Sequence, residues 1–186
     1  CPTEVMWWSY IIFFDAKITE GLNLETRFGS QYSNQTRTFK NDSYYGSAAS
    51  QNGNVFINKS ESLIYNLLNL LRLKKTFGSH SFDALLAHEN NAVTISNLFA
   101  SKYRLLDPNG LELDNAIVTN PSSSSTDKSS LESYFGQVNY DFNKKYFLSG
   151  TVRRDGSSKF INNKWGTFGS LGASWVISNE AFMQNQ

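Results

Sequence analysis

Hydrophobic and polar residues alternate strictly along much of this chain. Over residues 22–28, leucine, threonine and phenylalanine take every second position, and Asn23, Glu25 and Arg27 stand between them. The same alternation recurs in four further segments: 81–87, 133–142, 146–153 and 165–177. Because successive side chains of a β-strand point to opposite faces, a period of two predicts strands with one apolar and one polar face.

Two segments are harder to assign. Val5–Phe14 is apolar at nearly every position, which is typical of a buried strand. Leu63–Leu73 has leucines at three- and four-residue spacings that also fit a helix. We interpret it as a strand because strands flank it and its last residues run directly into a hairpin. The chain then holds about seven strands.

The connections between these strands alternate in length. Short turns are predicted at residues 19–21, 77–79 and 143–145. Between them come long polar connections at 34–54 and 92–130 and a shorter one at 156–164. Outer-membrane barrels have short turns on the periplasmic side and long loops outside, whereas a soluble sandwich has no reason to sort its loops this way. The pattern therefore favours a membrane barrel.

Aromatic residues are common near the ends of the predicted strands: Trp7, Trp8, Tyr10, Tyr134, Tyr140, Tyr146, Trp165 and Trp175. Amphipathic rings are stable at the level of the lipid headgroups, so barrels carry aromatic girdles there. Aromatics are also frequent in sandwich cores and on exposed β-surfaces. Their position at strand ends favours the girdle.

Composition excludes several classes of protein. The 186 residues are 40% hydrophobic and 15% aromatic with a net charge of +1, which argues against disorder, nucleic-acid binding and attraction to membranes through basic clusters. The single Cys1 allows no internal disulfide, and no Cys/His spacing indicates a metal site. Because a closed bacterial barrel needs an even number of strands, from about eight upward, we expect residues 1–186 to be one section of a barrel domain.

The last third of the chain resembles a known family. Residues 131–183 contain a series of spaced anchors: Tyr134-Phe135-Gly136, Val138-Asn139-Tyr140, Arg153 to Ser158, Trp165-Gly166 and Glu180-Ala181-Phe182. In this order they closely resemble the SusC/RagA family of TonB-linked outer-membrane transporters of Bacteroidota. Weaker matches around residues 21–29 and 75–89 extend the resemblance over most of the chain.

The resemblance implies a fold, a location and a function. Members form a large barrel of about 22 strands, closed by an N-terminal plug. They import glycan fragments or peptides across the cell outer membrane with energy from the TonB complex, and a SusD-like lipoprotein usually caps them. We expect the plug and the remaining strands to lie outside this chain.

Candidate functional residues follow from the predicted faces. Polar residues on the face opposite the apolar one are expected to line the barrel lumen: Glu25, Arg27, Asp83, Gln137 and Arg153. The adjacent Arg153 and Arg154 must point to opposite faces. One of them can contact ligand or lipopolysaccharide, or both can simply end a strand beside Asp155.

Aromatic residues in the long connections are candidates for ligand or partner contacts. Tyr44, Tyr45 and Tyr103 stand in polar surroundings, where their rings can stack on sugars or pack against a capping lipoprotein. They can equally fold the loop onto itself.

No pattern in the sequence indicates an enzyme. His80 and His88, assigned to a short turn and to the far end of the same strand, are interpreted as structural or solvated. No nucleophile elbow or pair of carboxylates in an apolar pocket is present, and no cofactor is expected. We therefore predict an all-β, antiparallel up-and-down meander that forms part of a large transmembrane β-barrel. The alternatives are a soluble β-sandwich that binds carbohydrate and a structural or adhesive outer-membrane β-protein.

Overall fold

The computed structural model describes residues 3–183, which are mostly β-strand. Eight strands occur in this range: β1 Thr3–Thr19, β2 Leu22–Asn41, β3 Asn54–Phe77, β4 His80–Leu105, β5 Ala116–Thr119, β6 Ser123–Phe142, β7 Tyr146–Ser157 and β8 Trp165–Trp175. Four single-turn 3-10 helices accompany them: Ala49–Gln51, Leu113–Asn115, Ile177–Asn179 and Ala181–Met183. Cys1, whose thiol was considered above, lies outside the described residues.

The strands form one sheet in which neighbours along the chain are neighbours in space. The order is β1-β2-β3-β4-β6-β7-β8, and the short β5 pairs with β4 off this path. The pairings of β4 with β5, β6 with β7 and β7 with β8 are antiparallel in register. An up-and-down meander is confirmed. No second sheet lies on it within residues 3–183, so the sandwich alternative is wrong.

The ambiguous leucine-rich segment is a strand. Leu63–Leu73 lies inside β3, and Val5–Phe14 lies inside β1. Strand pairing satisfies the backbone of residues 63–73, so their three- and four-residue leucine spacing does not produce a helix. The prediction that they continue into a hairpin is confirmed, since β3 ends at Phe77 and β4 begins at His80.

The three short turns occur where they were predicted. They join β1 to β2, β3 to β4 and β6 to β7, at residues 20–21, 78–79 and 143–145. Gly21 and Gly78 have φ of 79° and 56°, a left-handed conformation that a side chain disfavours. At Gly21 an added Cβ would also lie 2.0 Å from the carbonyl oxygen of Lys74.

The predicted boundaries of the two long connections are wrong. β2 continues to Asn41, β4 continues to Leu105 and β6 begins at Ser123, so the connections cover only residues 42–53 and 106–122. In the added part of β4, polar side chains pair with those of the neighbouring strand: Ser60 of β3, for example, donates to Asn97 at 2.9 Å. Strands that pair in this way need no apolar face, so the sequence alternation that reveals other strands is missing.

The chain divides into two compact units. The first holds β1 up to Tyr10 together with Ser30–Ile64 and Val93–Lys128. It contains a small core of Val55, Leu105 and Ala116, against which Leu113 packs. Asn52 donates a hydrogen bond from Nδ2 to the Leu105 carbonyl at 3.1 Å, so the connection at 42–53 is anchored to the end of β4.

The second unit holds the elements that position the candidate site. It comprises Ile11–Gly29, Tyr65–Ala92 and the chain from Ser129 onward. All three short turns lie in it, and the amide nitrogen of Asn143 in one turn donates to the Ser79 carbonyl of another at 2.8 Å. Few of its side chains are buried, since a single sheet has no layer to cover it.

Candidate functional site

The register of β6, β7 and β8 sorts their side chains onto two faces. Val138 lies opposite Gly150, and Gly150 lies opposite Leu171. One residue along, Gln137 lies opposite Thr151, which lies opposite Ser170. Since directly paired residues share a face, the second unit has one apolar and one polar side, called here the apolar face and the polar face.

The apolar face is fully open. Val138, Leu148 and Val152 are 50–55% exposed, and Leu171 is 94% exposed. A soluble protein covers a contiguous apolar area of this kind, so exposure here indicates an apolar solvent or a partner. On β7 this face runs from Tyr146 to Arg154, which matches the about 9–11 residues with which a tilted strand crosses a bilayer.

One row of aromatic rings borders the apolar face at the short turns. Tyr146 and Trp175 stack with centroids 6.2 Å apart, and Phe142 lies 6.3 Å from Tyr146. His80 continues the row, 4.8 Å from the ring of Phe142. The side chain of Tyr140 joins it through a 2.7 Å hydrogen bond to Nδ1 of His80. We call these residues the turn-side row.

A second row borders the same face at the other end of the strands. Tyr134 lies 4.9 Å from the ring of His88 and 6.1 Å from Trp165, and the guanidinium of Arg154 lies 5.2 Å above the Trp165 ring. Glu132 accepts hydrogen bonds from the Tyr134 hydroxyl at 2.6 Å and from Nε2 of His88 at 3.2 Å. We call these residues the loop-side row. Two aromatic rows around an apolar band are the arrangement of a barrel wall.

The polar face carries the five residues that were predicted to share one side. The register of β6 and β7 places Gln137 and Arg153 on this face. Arg153 contacts Glu89 of β4, and Asp83 lies an even number of residues from Glu89 on the same strand, so Asp83 also points to this face. On β2 the hydroxyl of Thr26 bonds Asn69 on the apolar side, so Glu25 and Arg27 point the other way. The structure thus brings all five residues to one face.

Ion pairs and hydrogen bonds connect the polar face along and across strands. Arg27 pairs with Glu25, and Asp83 pairs with Lys74 at 3.3 Å. Gln137 donates to Oδ1 of Asn139 at 3.2 Å. These charges are partly exposed, so the face is hydrated and each pair stabilises the protein only slightly.

Arg153 has the most partners on this face. Its Nε donates to both carboxylate oxygens of Asp155, at 2.7 and 3.0 Å. Its Nη2 donates to Ser133 at 3.1 Å and lies 3.6 Å from Glu89, and its guanidinium lies 5.1 Å above the ring of Phe135. The interpretation of Arg153 as a strand-end residue paired with Asp155 fits these contacts.

Beyond β8 the chain folds back onto the β6–β7 turn. Glu180 accepts hydrogen bonds from the Tyr146 hydroxyl at 2.7 Å, Lys145 Nζ at 3.0 Å and Trp175 Nε1 at 3.1 Å. These donors, the Tyr146 hydroxyl above all, lower the pKa of the Glu180 carboxyl from 4.5 to about 2. The carboxylate therefore holds the chain end against the turn.

The loop aromatics separate into two cases. Tyr44 and Tyr45 lie in the connection at 42–53 and are 77% and 74% exposed. The amide nitrogen of Tyr44 donates to Oδ1 of Asp42 at 2.7 Å, which fixes the local turn. The assignment of Tyr103 to a loop is wrong, because this residue lies in β4 opposite Val118 of β5.

The two histidines take part in the aromatic rows. His80 is the first residue of β4 and not part of the turn, and His88 lies well before the strand ends at Leu105, so both assignments are corrected. No cluster of three or more potential metal ligands occurs among residues 3–183. In the same range no helix has the length and apolar character that spanning a membrane requires.

Sequence comparison supplies the family. Residues 8–182 match the family described as TonB dependent receptor-like, beta-barrel. The chain belongs to this family. Its members are outer-membrane proteins, which agrees with an apolar face bordered by aromatic rows. The predicted all-β barrel class and the resemblance to SusC/RagA proteins are confirmed.

Individual family members are similar over nearly the whole chain. TonB-dependent receptor P3 of Formosa agariphila is 31% identical over 172 residues, covering 89% of this chain and 17% of the relative. TonB-dependent receptor SusC of Bacteroides thetaiotaomicron is 31% identical over 172 residues, covering 88% and 16%. The chain thus spans about a sixth of the length of these relatives, and their names describe receptors and not enzymes.

Solved structures of a peptide transporter have the same fold. The structure of the RagAB peptide transporter superposes with a TM-score of 0.88 at 21% identity, over 98% of this chain and 21% of that chain. The RagAB peptide importer in its open-open state gives a TM-score of 0.87 at 21% identity, covering 98% and 20%. At this identity the likeness supports the strand arrangement.

Sequence reasoning missed several residues that organise both faces. Glu89, Glu132 and Glu180 each hold one or more side chains of other strands or turns, and none was singled out as a site residue. The strand register brings the partners of Glu89 and Glu132 to them, and the return of the chain beyond β8 brings Glu180 to its partners. A usable signal existed for Glu180, since it stands in one of the anchors that carry the family resemblance.

Proposed function

We propose that this chain is a section of the barrel wall of a TonB-dependent importer in the outer membrane. The polar face borders the lumen, and the apolar face meets lipid. The single observation that carries the proposal is the two-faced sheet of the second unit, with aromatic rows at both edges of an exposed apolar band. The wall has no catalytic role in this proposal.

Glu25, Arg27, Asp83, Gln137 and Arg153 then line the transport path. Their charges are already paired locally, as Asp83 is with Lys74. Because these charges are paired, hydrated and of both signs, the path holds water and does not bind cationic or anionic solutes preferentially. This suits cargo such as glycan fragments or peptides. Energy from the TonB complex acts through the plug, outside this chain.

The exposed tyrosines of the first unit are proposed to contact a partner or ligand. Tyr44 and Tyr45 project from a connection that is anchored through Asn52. Exposed rings on an ordered loop lose little entropy on binding, which favours recognition of a sugar or of a SusD-like surface lipoprotein. SusC/RagA-like receptors pair with SusD-like lipoproteins, and the structural neighbour RagAB is a peptide transporter, which supports a partner of this kind here.

Spin labels at adjacent positions test the wall assignment. Cysteine would be placed at Gln137 or at Val138 in the protein carrying this chain, reconstituted in lipid and labelled with a nitroxide. We expect the label at 138 to be relaxed by oxygen dissolved in lipid and the label at 137 by a water-soluble nickel chelate. Equal accessibility of both labels to the chelate would contradict the proposal.

A loop variant tests the partner contact. Tyr44→Ala combined with Tyr45→Ala is expected to lower co-purification of the surface lipoprotein or uptake of a labelled oligosaccharide or peptide. Phe160→Ala is the matched control, because Phe160 is also exposed, at 60%, but lies in the β7–β8 connection. If the double variant and the control behave alike, the tyrosines have no such role.

A further inference from the structure

Arg154 differs from its neighbour Arg153 in having no anionic partner among the residues that the structure describes. Among residues 3–183, the Arg154 guanidinium forms no ion pair and no hydrogen bond, and it makes a cation–π contact with the ring of Trp165 at 5.2 Å. Arg153 by contrast binds two carboxylates and a hydroxyl. A guanidinium carries five N–H donors in a planar fork that matches a phosphate. The donors of Arg154 are therefore available to an anion.

The position of Trp165 holds the guanidinium in place. Trp165 lies opposite Gly156 in the register, and an added Cβ at Gly156 would come within 2.8 Å of three ring atoms. The ring therefore lies flat on β7, where only glycine leaves room. Arg154 packs above the same ring, and stacking on it limits the motion of the side chain.

An apolar groove begins next to this arginine on the same face. This open groove has a volume of about 560 Å³, and Gly136 lies in it between the side chains of Leu86 and Val152. A Cβ at Gly136 would lie 3.2 Å from Cδ2 of Leu86, so the missing side chain is what opens the groove. His88, Tyr134 and Arg154 border the same groove. The groove is thus apolar along most of its length and has polar and cationic residues at one end.

Among residues 3–183, neither Glu132 nor Asp155 forms an ion pair with Arg154. Glu132 is held by the Tyr134 hydroxyl at 2.6 Å and by Nε2 of His88 at 3.2 Å. Asp155 follows in sequence but points to the polar face, where it binds Arg153. The N–H donors of Arg154 on the apolar face can therefore bind the anionic end of a ligand that is apolar over most of its length.

We propose that Arg154, Trp165, Tyr134 and the groove over Gly136 form a binding site for a phosphorylated lipid of the outer leaflet. The phosphate takes the donors of Arg154, and an acyl chain lies in the groove between Leu86 and Val152. The long-connection end of β7 is the outer side in the proposed orientation, so the site meets that leaflet. The inference rests on the proposed placement of the apolar face in lipid.

Native mass spectrometry of the protein carrying this chain, purified in detergent and titrated with bisphosphorylated lipid A, measures the site. We expect Arg154→Gln to weaken binding of lipid A about tenfold, because it removes a charge-assisted bidentate contact. Arg153→Gln, which removes the same charge from the opposite face, is expected to change it less than twofold. Equal losses in both variants would overturn the site.

The groove has its own matched pair of variants. Gly136→Ala is expected to weaken lipid A binding severalfold, because the methyl group narrows the channel beside Leu86. Gly150→Ala adds the same methyl to the same face outside this groove and is expected to leave binding unchanged. If Gly136→Ala binds lipid A as the unmodified protein does, the groove has no part in binding.

Two further arms separate the possible failures. Dephosphorylated lipid A is expected to bind weakly and equally to the unmodified protein and to Arg154→Gln; tight binding would refute the phosphate contact. Inorganic phosphate in about tenfold excess over lipid A is expected not to displace it. Displacement would mean that Arg154 binds free phosphate as well as it binds lipid A, and this result would overturn the assignment to a lipid. Where Arg154→Gln does not fold, Arg154→Lys replaces it, with an intermediate loss expected. Failure of these arms while the label at Val138 still contacts lipid rejects the lipid site alone.

Discussion

The guanidinium of Arg153 on β7 lies 3.6 Å from the carboxylate of Glu89 on β4, so an ion pair crosses β6, the strand between them. Asp155 is closer, at 2.7 Å, and on the same strand. The two acids therefore stabilise Arg153 differently. Glu89 links two strands over a long contact, and Asp155 fixes the side chain over a short one.

Asp155→Asn is expected to destabilise the protein more than Glu89→Gln. The shorter contact with two acceptor atoms should contribute about 1–2 kcal/mol, and the longer, partly exposed one less than about 1 kcal/mol because water screens it. Urea unfolding in lipid vesicles, followed by tryptophan fluorescence, measures both. An equal or larger loss for Glu89→Gln would contradict this order.

Val138→Arg tests the assignment of the faces by stability. A charge on the lipid side near the bilayer midplane is expected to cost about 2–4 kcal/mol of unfolding free energy. Gln137→Arg, one position along and on the polar face, is expected to cost less than about 1 kcal/mol. The comparison uses the same vesicle assay, and similar values for the two variants would argue against lipid on the apolar face.

Gly21→Ala and Gly78→Ala separate backbone strain from a steric clash. Both glycines have positive φ, so alanine should cost about 1–2 kcal/mol at each. At Gly21 the new Cβ also meets the Lys74 carbonyl at 2.0 Å, whereas nothing lies within 4 Å of the Cβ at Gly78. We expect Gly21→Ala to be clearly the more damaging in folding yield and unfolding free energy. Equal effects would mean that only φ matters.

The chain end beyond β8 should respond to acid. The pKa of Glu180 is lowered to about 2 by Tyr146, Lys145 and Trp175, so the folded state favours the carboxylate. The stabilisation it gives is complete above pH 4.5 and is lost as the pH falls through about 2. The ¹³C shift of the Glu180 carboxyl, assigned with Glu180→Gln, reports this titration, and a midpoint near 4.5 would refute the contacts.

The alternation of side chains was enough to predict which residues share a face. Val138 and Gln137 were placed on opposite sides because a strand has a period of two, and the register agrees. The same reasoning put Arg153 and Arg154 on different faces. Neither inference needs knowledge of the neighbouring strands.

Partner choice and strand length could not be read in this way. Glu89 meets Arg153 only through the pairing of β4, β6 and β7, which no local pattern specifies. The strands around Asn97 and Tyr103 continue through polar sequence because side chains such as Ser60 pair with them. Where neither face of a strand is apolar, apolar and polar residues no longer alternate, and the sequence of the strand resembles that of a loop.

Each strand of the main path pairs only with strands that are close to it in the chain. A hairpin can therefore be added or removed with only the two strands that flank it changing a partner. Chains with this order can grow or shrink in steps of two strands by duplication or deletion of a single genetic segment. In a barrel built as a meander, evolution can therefore change the number of strands, and with it the circumference, without changing the side chains on the faces of the other strands.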